Sequence, residues 1–341
     1  MAAYTTIDDP EAYFQIKAYT GDDASSRALT LDGDTDLQPD LIWIKNRANA
    51  KKPVIFDSAR GVGKSVTPSD GLAEISNNDD GGYVSAFGSD GFTLAEGGSS
   101  DNDTNDDGDT YFAFCWKETA DAGFDIVEYD GTGSAHTISH SLSAVPDWYV
   151  VKELDNNGSW YTFTQTTGNG QSMFINGENA ISEASSGYWN STSPTSSVFT
   201  VGTNAGINQS STGYIAYLWR SVQGFSKLGS FEGNGNADGT YIHLGFRAAW
   251  ILMKNADDAS TDWNLHNNKS PGYNLNSSYL ASNETDAEVT GNSSLVIDIC
   301  ANGFKTRGTG AGINESGDTI IYMAFAEAPF VNSNGVPNNA R

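Results

Sequence analysis

The stretch Pro39-Asp-Leu-Ile-Trp-Ile-Lys45 is an apolar run that begins with Pro-Asp and ends in lysine. It recurs as Pro146-Asp-Trp-Tyr-Val-Val-Lys152 and as Ala248-Ala-Trp-Ile-Leu-Met-Lys254, with the lysines 107 and 102 residues apart. Short apolar runs between polar turns are typical of buried strands, and recurrence at a long spacing indicates tandem units. The sequence therefore predicts three copies of one unit of roughly 100 residues.

Two further patterns recur in the same order. An aromatic strand that runs into an acidic-glycine turn opens each copy, at Phe14 to Gly21, Phe124 to Gly131 and Phe225 to Gly233. A second strand closes each copy, with Ala113, Ala216 and Ala324 as its matched alanines, in Thr110-Tyr-Phe-Ala-Phe-Cys-Trp116, Gly213-Tyr-Ile-Ala-Tyr-Leu-Trp219 and Ile320-Ile-Tyr-Met-Ala-Phe-Ala326. These patterns predict an N-terminal arm at 1–12, copies at 13–120, 121–222 and 223–330, and a C-terminal tail at 331–341.

Composition indicates the fold class. The chain has 37 glycines but only 9 prolines, and each copy offers about six to eight short strands between turn residues. Aromatic residues make up 11% of the sequence, enough to build a core in each copy. We therefore expect an all-β protein of three tandem antiparallel β-sandwich repeats, jelly-roll-like in outline.

In the lysine-ending and closing strands, apolar residues occupy both the odd and the even positions. Leu41 and Trp43 alternate with Ile42 and Ile44. A strand with one face exposed to solvent would instead alternate apolar with polar residues. One face should meet its own copy's core, and the other must be covered by a neighbouring copy or by another subunit. Pseudo-threefold packing within the chain and a homotrimer both satisfy this requirement.

The charge excludes some partners. With 43 acidic and 18 basic residues the formal charge is −25, so the surface field repels phosphate backbones and nucleic acid is not an expected partner. Such acidity also suits a saline setting. Residues Met1 to Phe14 include three acids and no apolar run, so we expect neither a signal peptide nor membrane insertion.

The segment Ser58-Ala-Arg-Gly-Val-Gly-Lys-Ser65 resembles a phosphate loop, but Ser58 replaces its first glycine and Pro68 follows where a helix should begin. It occurs in one copy only. A turn is the favoured interpretation, in which Arg60 pairs with Asp57.

The loop Asp101–Asp109 resembles the start of a calcium loop, with oxygen ligands at alternate positions. Counted from Asp103, the closing glutamate position is Phe114, and the matching turns of the other copies have fewer carboxylates. A β-turn is favoured, and calcium binding by this loop is left open.

Other chemistry-bearing residues are sparse. His136 and His140 lie on a predicted strand, about 13 Å apart, too far for one zinc. Cys115 and Cys300 lie at different places in their copies and are expected to be separate buried thiols. We therefore predict no catalytic residues, no metal, no cofactor and no enzyme activity.

Tyr188 and Trp189 are the candidate binding residues. They lie between Gly, Ser and Asn, as expected of an exposed loop that stacks on sugars or makes adaptable protein contacts. Covering a neighbour's core is an equally good interpretation.

The same anchors resemble a known family. Ala3 to Phe14, Gln38 to Arg47, Phe56-Asp-Ser-Ala-Arg-Gly61 and Ser89-Asp-Gly-Phe-Thr-Leu94 are similar to repeat-containing, tail-fibre-like virion structural proteins of marine tailed bacteriophages, including cyanophages and pelagiphages. The middle copy, with Tyr129-Asp-Gly-Thr-Gly-Ser134, is similar to that family's other repeat variant. The third copy departs most, with Gly245-Phe-Arg247 before its lysine strand.

The resemblance implies a virion structural protein made in the host cytoplasm without a signal. A tail-fibre or receptor-binding component is the first expectation, a capsid decoration protein the alternative, and a virion-associated polysaccharide-degrading enzyme a lower one. Expected partners are other virion proteins, copies of the same chain with a trimer favoured, and a host surface glycan or outer-membrane receptor.

Overall fold

The computed structural model describes residues 5–77, 81–96, 103–183, 187–270, 272 and 274–339. A 3₁₀ turn, Pro10–Ala12, precedes the first strand. Copy 1 contains β1 (Phe14–Thr20), β2 (Ser26–Leu29), β3 (Leu41–Asn46), β4 (Val54–Asp57), β5 (Lys64–Ser65), β6 (Ile75–Ser76), β7 (Tyr83–Gly88), β8 (Gly91–Ala95) and β9 (Thr110–Trp116). Copy 2 contains β10 (Phe124–Asp130), β11 (His136–Ser139), β12 (Trp148–Glu153), β13 (Trp160–Thr164), β14 (Gln171–Phe174), β15 (Ser182–Glu183), β16 (Val198–Val201), α1 (Ala205–Asn208) and β17 (Gly213–Trp219). Copy 3 contains β18 (Ser226–Glu232), β19 (Tyr241–His243), β20 (Phe246–Asn255), β21 (Asn264–Asn267), β22 (Leu280–Ala281), β23 (Ile297–Cys300), β24 (Gly303–Thr306), α2 (Ala311–Asn314) and β25 (Thr319–Pro329).

The main sheet of each copy has the same strand order. The orders are β1-β9-β3-β4 in copy 1, β10-β17-β12-β13-β14-β15 in copy 2 and β18-β25-β20-β21-β22 in copy 3. Smaller sheets accompany them, β2-β8-β7, β11-β16 and β19-β24-β23, and the strands pair antiparallel throughout the described residues. The all-β class is therefore confirmed. Both helices are single turns of four residues, and no described helix is long and apolar enough to cross a membrane.

The ladder register corrects the sequence alignment of the third copy. Lys254 pairs with Ile321, as Lys45 pairs with Phe112 and Lys152 with Ile215. Tyr322, and not Ala324, therefore takes the place of Ala113 and Ala216. The matched alanines were wrong because a shift of two residues keeps every side chain on the same face, so the apolar pattern alone cannot detect it.

The opening turn is locked in the same way in every copy. A glycine ends each opening strand where a Cβ would lie 1.9 to 2.1 Å from a carbonyl oxygen of the turn before the closing strand, at Gly21, Gly131 and Gly233. The next residue donates its backbone N–H to an asparagine side chain of that turn, in the pairs Asp22–Asn105, Thr132–Asn208 and Asn234–Asn314. Only glycine fits so close an approach, which explains why this anchor recurs.

In copies 1 and 2 the two faces of the main sheet meet different cores. In β3, Ile42 and Ile44 pack inside copy 1, whereas Leu41 and Trp43 join a second core shared by all three copies. In copy 2, Tyr149 and Val151 pack inside the copy, and Trp148 and Val150 face the shared core. The expectation that the second face is covered is confirmed, and the cover comes from within the chain.

Aromatic side chains from different copies meet in the shared core. The ring of Trp250 lies 5.6 Å from that of Trp116 and 6.5 Å from that of Trp43. The rings of Phe14 and Phe325 stack at 5.1 Å, and those of Trp148 and Trp263 meet edge to face at 5.8 Å. Such rings bury large apolar areas, so the main sheets are held together as one body.

The described part of the N-terminal arm packs on the chain itself. Thr5 and Ile7 are buried, and the backbone N–H of Thr6 donates to the carbonyl of Gln223 at 3.4 Å. Asp8 accepts from the backbone N–H of Ser333 in the C-terminal tail at 2.7 Å. Residues 5–12 of the predicted arm are therefore part of the fold, while Met1 to Tyr4 lie outside the described residues.

Candidate functional site

The same type of main-chain hydrogen bond recurs at each junction between copies. Its acceptor is the carbonyl two residues after the strand lysine, and its donor belongs to a loop of another copy. The bonds are Glu74 N to Leu154 O at 2.8 Å, Ile181 N to Ala256 O at 2.7 Å and Glu288 N to Arg47 O at 2.9 Å. Copy 1 thus joins copy 2, copy 2 joins copy 3, and copy 3 returns to copy 1, which closes a ring.

The strand lysines lie buried beside these junctions. The Lys45 Nζ donates to the carbonyl of Glu284 at 2.8 Å, and the Lys254 Nζ donates to the carbonyl of Glu178 at 2.9 Å, each across a junction. The Lys152 Nζ donates to the carbonyl of Glu153 at 2.6 Å within its own copy. Burial lowers the pKa of each lysine to about 8.

A tryptophan clamps the incoming loop at two junctions. Trp160 opposes Lys152 in the ladder, and its indole N–H donates to the carbonyl of Thr67 at 3.0 Å. The indole N–H of Trp263 donates to the carbonyl of Phe174, also at 3.0 Å. Each bond satisfies a loop carbonyl that the junction removes from water.

The junction from copy 3 to copy 1 uses an ion pair instead. Arg47 donates twice to one carboxylate oxygen of Glu288, at 3.0 and 2.8 Å, and its guanidinium lies 4.1 Å from the centre of the Phe112 ring. The Glu288 side chain is only 4% exposed. The ring therefore closes through a shielded charge-assisted contact.

Arg60 and Asp57 form a buried pair, as the sequence predicted. The Arg60 Nε donates to Asp57 at 2.6 Å, and the hydroxyl of Tyr217 in copy 2 donates to the same carboxylate at 2.7 Å. Lys64, in the segment that resembles a phosphate loop, pairs with Glu74 at 2.7 Å. This segment therefore links copies 1 and 2 through protein partners.

The acidic loop uses its oxygens on neighbouring donors. Asp103 accepts from the backbone N–H of Lys52 at 3.2 Å, Asp106 pairs with Lys51 at 3.1 Å, and Asp109 accepts from the amide of Asn46 at 2.7 Å. These partners stabilise a turn, as the favoured interpretation required. The first two residues of the stretch, Asp101 and Asn102, lie outside the described residues.

Tyr188 and Trp189, the pair predicted to bind a ligand, do not lie on an exposed loop. Trp189 is fully buried in the core of copy 2, and its indole N–H donates to the carbonyl of Gln171 at 3.0 Å. Tyr188 is half-buried, with its ring 5.2 Å from that of Tyr161. The expectation of exposure was wrong because neighbouring Gly, Ser and Asn residues mark a turn but do not tell which way its side chains point.

One group of carboxylates could hold a metal ion within the part of the chain that the structure describes. Oxygens of Glu178, Asp262 and Glu284 lie within 4.8 Å of one another where copies 2 and 3 meet. The Asn283 amide donates to Asp262 at 3.0 Å and to Glu284 at 3.3 Å. Burial and the neighbouring acids raise the pKa of Glu284. Because these residues come from different copies, no spacing in the sequence signals them.

The junction residues were also missed by sequence reasoning, although one signal was present. Each apolar strand ends in lysine, which is unexpected for a position that proves to be buried, at 2% exposure for Lys45 and 0% for Lys152 and Lys254. A lysine that recurs at the same position of three apolar strands indicates that it has the same structural role in each copy.

Fold and junctions together define a chain of tandem antiparallel β-sandwiches closed into a ring around one shared core. The chain belongs to the family described as a domain of unknown function, DUF7483, whose model matches residues 9–329. The match extends from the 3₁₀ turn to the end of β25 and so spans all three copies. No curated protein and no solved structure matches the chain.

Proposed function

We propose that the chain is a structural protein of a bacteriophage virion, a tail-fibre or receptor-binding component exposed on the particle. The observation that carries the proposal is the closed ring, because three junction hydrogen bonds and a shared core join the copies into one rigid block. A rigid block holds its loops in fixed positions, so less conformational entropy is lost when the loops bind a host surface. The family resemblance of the anchors supplies the virion setting.

The ring also bears on assembly. The doubly apolar strands were the reason to expect a homotrimer, and that reason is removed because their second faces are covered within the chain. The trimer stays a prediction, which sedimentation of the purified protein tests.

Antibody labelling of purified particles tests the proposal. Label at the tail tips, with few copies per particle, is the expected result. Copy number equal to that of the major capsid protein, or a simple fraction of it, would contradict a tail location.

Capsid decoration is the second candidate, favoured by the same ring closure. A block that covers its own apolar faces is suited to sit on a shell through its surface alone, without a shaft. Label spread over the head would support this candidate, and label confined to the tail would remove it.

A further inference from the structure

Two cavities adjoin along the linker between copies 2 and 3. The first, of about 470 Å³, lies between the N-terminal arm and the linker, with Ile7, Tyr13 and Arg220 in its wall. The second, of about 590 Å³, lies between the edge strands β18 and β19 and reaches Phe330. Ser221 and Gln223 line both, so the two form one groove, here called the linker groove. Each volume is in the range of small-molecule sites, about 300 to 1,000 Å³.

The linker groove holds two cations, Arg220 in the first cavity and Lys227 in the second. The first cavity also contains the carboxylate of Asp121, whereas the described lining of the second contains no carboxylate. Arg220 donates to the carbonyls of Ala120 at 2.6 Å and Ser221 at 3.4 Å. Lys227 donates to the carbonyl of His243 at 2.5 Å. Both side chains are half-buried.

Several cations elsewhere on the surface pair with carboxylates, as Lys17 does with Asp32, Lys305 with Asp238 and Arg247 with Glu327. By contrast, Lys227 donates to a carbonyl, and the described lining of its cavity contains no carboxylate. In a chain of charge −25, this makes the second cavity suited to an anion.

The groove also offers apolar surface and free polar groups. Leu228 and Leu244 form a buried floor, and Phe330 is 36% exposed beside it. The side chains of Gln223 and His243 are exposed at its rim. Cations, an aromatic face and uncharged hydrogen-bonding groups therefore line the same cleft.

We propose that the linker groove binds an acidic saccharide. A sugar carboxylate would pair with Lys227, the apolar C–H face of the sugar ring would pack on Phe330, and its hydroxyls would bond to Gln223 and His243, all in the lining of the second cavity. The inference rests on the proposed function only for the source of the saccharide, a polymer of the host surface.

An acidic peptide fits the groove less well. An added peptide strand needs the main-chain donors at the edge of the sheet. On β18 these are already used, since the Ser226 N–H donates to the carbonyl of Val222 at 2.9 Å and the Leu228 N–H donates to the hydroxyl of Ser221 at 3.1 Å. A saccharide uses side chains instead, and those remain available.

Calorimetric titration of the purified full chain tests the assignment, with trigalacturonate as the acidic probe, maltotriose as the neutral one and hexaglutamate as the acidic peptide. Trigalacturonate should bind at least tenfold more tightly than either of the others. Lys227→Gln should weaken its binding about tenfold, the loss of one charge-assisted contact. Phe330→Ala should weaken trigalacturonate binding as well, and both variants should keep the wild-type melting temperature within about 3 °C.

Lys305→Gln is the matched control, because it removes a cation of the same copy that is already paired with Asp238. It should leave binding unchanged. The assignment is overturned if trigalacturonate does not bind at millimolar concentration, if Lys305→Gln weakens binding as much as Lys227→Gln, or if hexaglutamate binds as tightly as trigalacturonate. Binding by the isolated protein does not depend on where it sits in a particle, so this test and the antibody labelling can fail separately.

Discussion

Removal of the Trp263 side chain tests whether the ring unfolds as one unit. Trp263 is fully buried, its indole N–H bonds to the carbonyl of Phe174 in copy 2, and its ring packs edge to face on Trp148. Trp263→Ala should lower the free energy of unfolding by about 3 to 5 kcal/mol. The hydrogen bond accounts for roughly 1 kcal/mol of this and the aromatic pair for about 0.5 to 1.5 kcal/mol.

Calorimetry and urea unfolding followed by circular dichroism measure the effect. With an unfolding entropy of about 2.1 cal/mol/K per residue, the loss corresponds to a melting temperature lower by about 4 to 7 °C. The transition should stay single, because the shared core couples the copies. Trp263→Phe should recover most of the lost packing but not the hydrogen bond.

Two results would refute this reasoning. The first is a split transition in which copies 1 and 2 melt at the wild-type temperature. The second is a loss no larger than that of Tyr241→Ala, whose side chain is 45% exposed and whose removal should change the free energy of unfolding by about 0.5 kcal/mol or less.

The remaining predictions concern charges and thiols. Arg60→Met leaves the buried Asp57 carboxylate without its cation and should lower the free energy of unfolding by about 3 to 5 kcal/mol in urea titrations. Burial and nearby acids raise the pKa of Glu118 to about 7, so the folded chain keeps a proton that the unfolded chain loses above its usual value of 4.5. The Glu118 contribution to stability should therefore fall as the pH rises from 4.5 to 7, whereas the buried His266, whose pKa is lowered to about 4, contributes in the opposite direction. Glu118→Gln should therefore make stability rise more steeply, or fall less, over this range than in the wild type. A thiol reagent should modify the half-exposed Cys300 and not the buried Cys115 in the native protein, and both after unfolding.

Each of these has a control. Lys64→Met removes the partly exposed partner of Glu74 and should cost less than about 1 kcal/mol; a cost equal to that of Arg60→Met would show that burial is not the cause. Parallel pH curves for wild type and Glu118→Gln would remove Glu118 as the titrating group. Native labelling that survives Cys300→Ser would place an accessible thiol at Cys115, against its burial.

Ring closure explains why the junctions differ in chemistry. Between copies 1 and 2 and between copies 2 and 3 a tryptophan clamps the incoming loop, whereas the last junction uses Arg47 and Glu288. In copy 1 the pairing of β3 with β4 ends at Ile44 and Val54, and the residue before Val54 is Pro53, which has no side-chain donor to offer. Because all copies lie in one chain, each junction was free to adopt its own side chains while keeping the main-chain bond.

The sequence by itself determined the all-β class, the recurring strands and the presence of a second covered face. These features are readable because a run of consecutive apolar residues, such as Leu41 to Ile44, is a local property of the chain and needs no knowledge of its packing partner. The pairing of Arg60 with Asp57 was readable for the same reason, since the two residues share one turn.

Only the tertiary structure decided which chain covers those faces, where the third copy's closing strand sits in its ladder and what the strand lysines do. The carbonyls that accept from Lys45 and Lys254 belong to other copies. The carboxylates of Glu178, Asp262 and Glu284 come from two copies, and the side chain of Trp189 is buried. Contacts between residues of different copies leave no spacing to read, because they are set by how whole sheets pack and not by the order of neighbours along the chain.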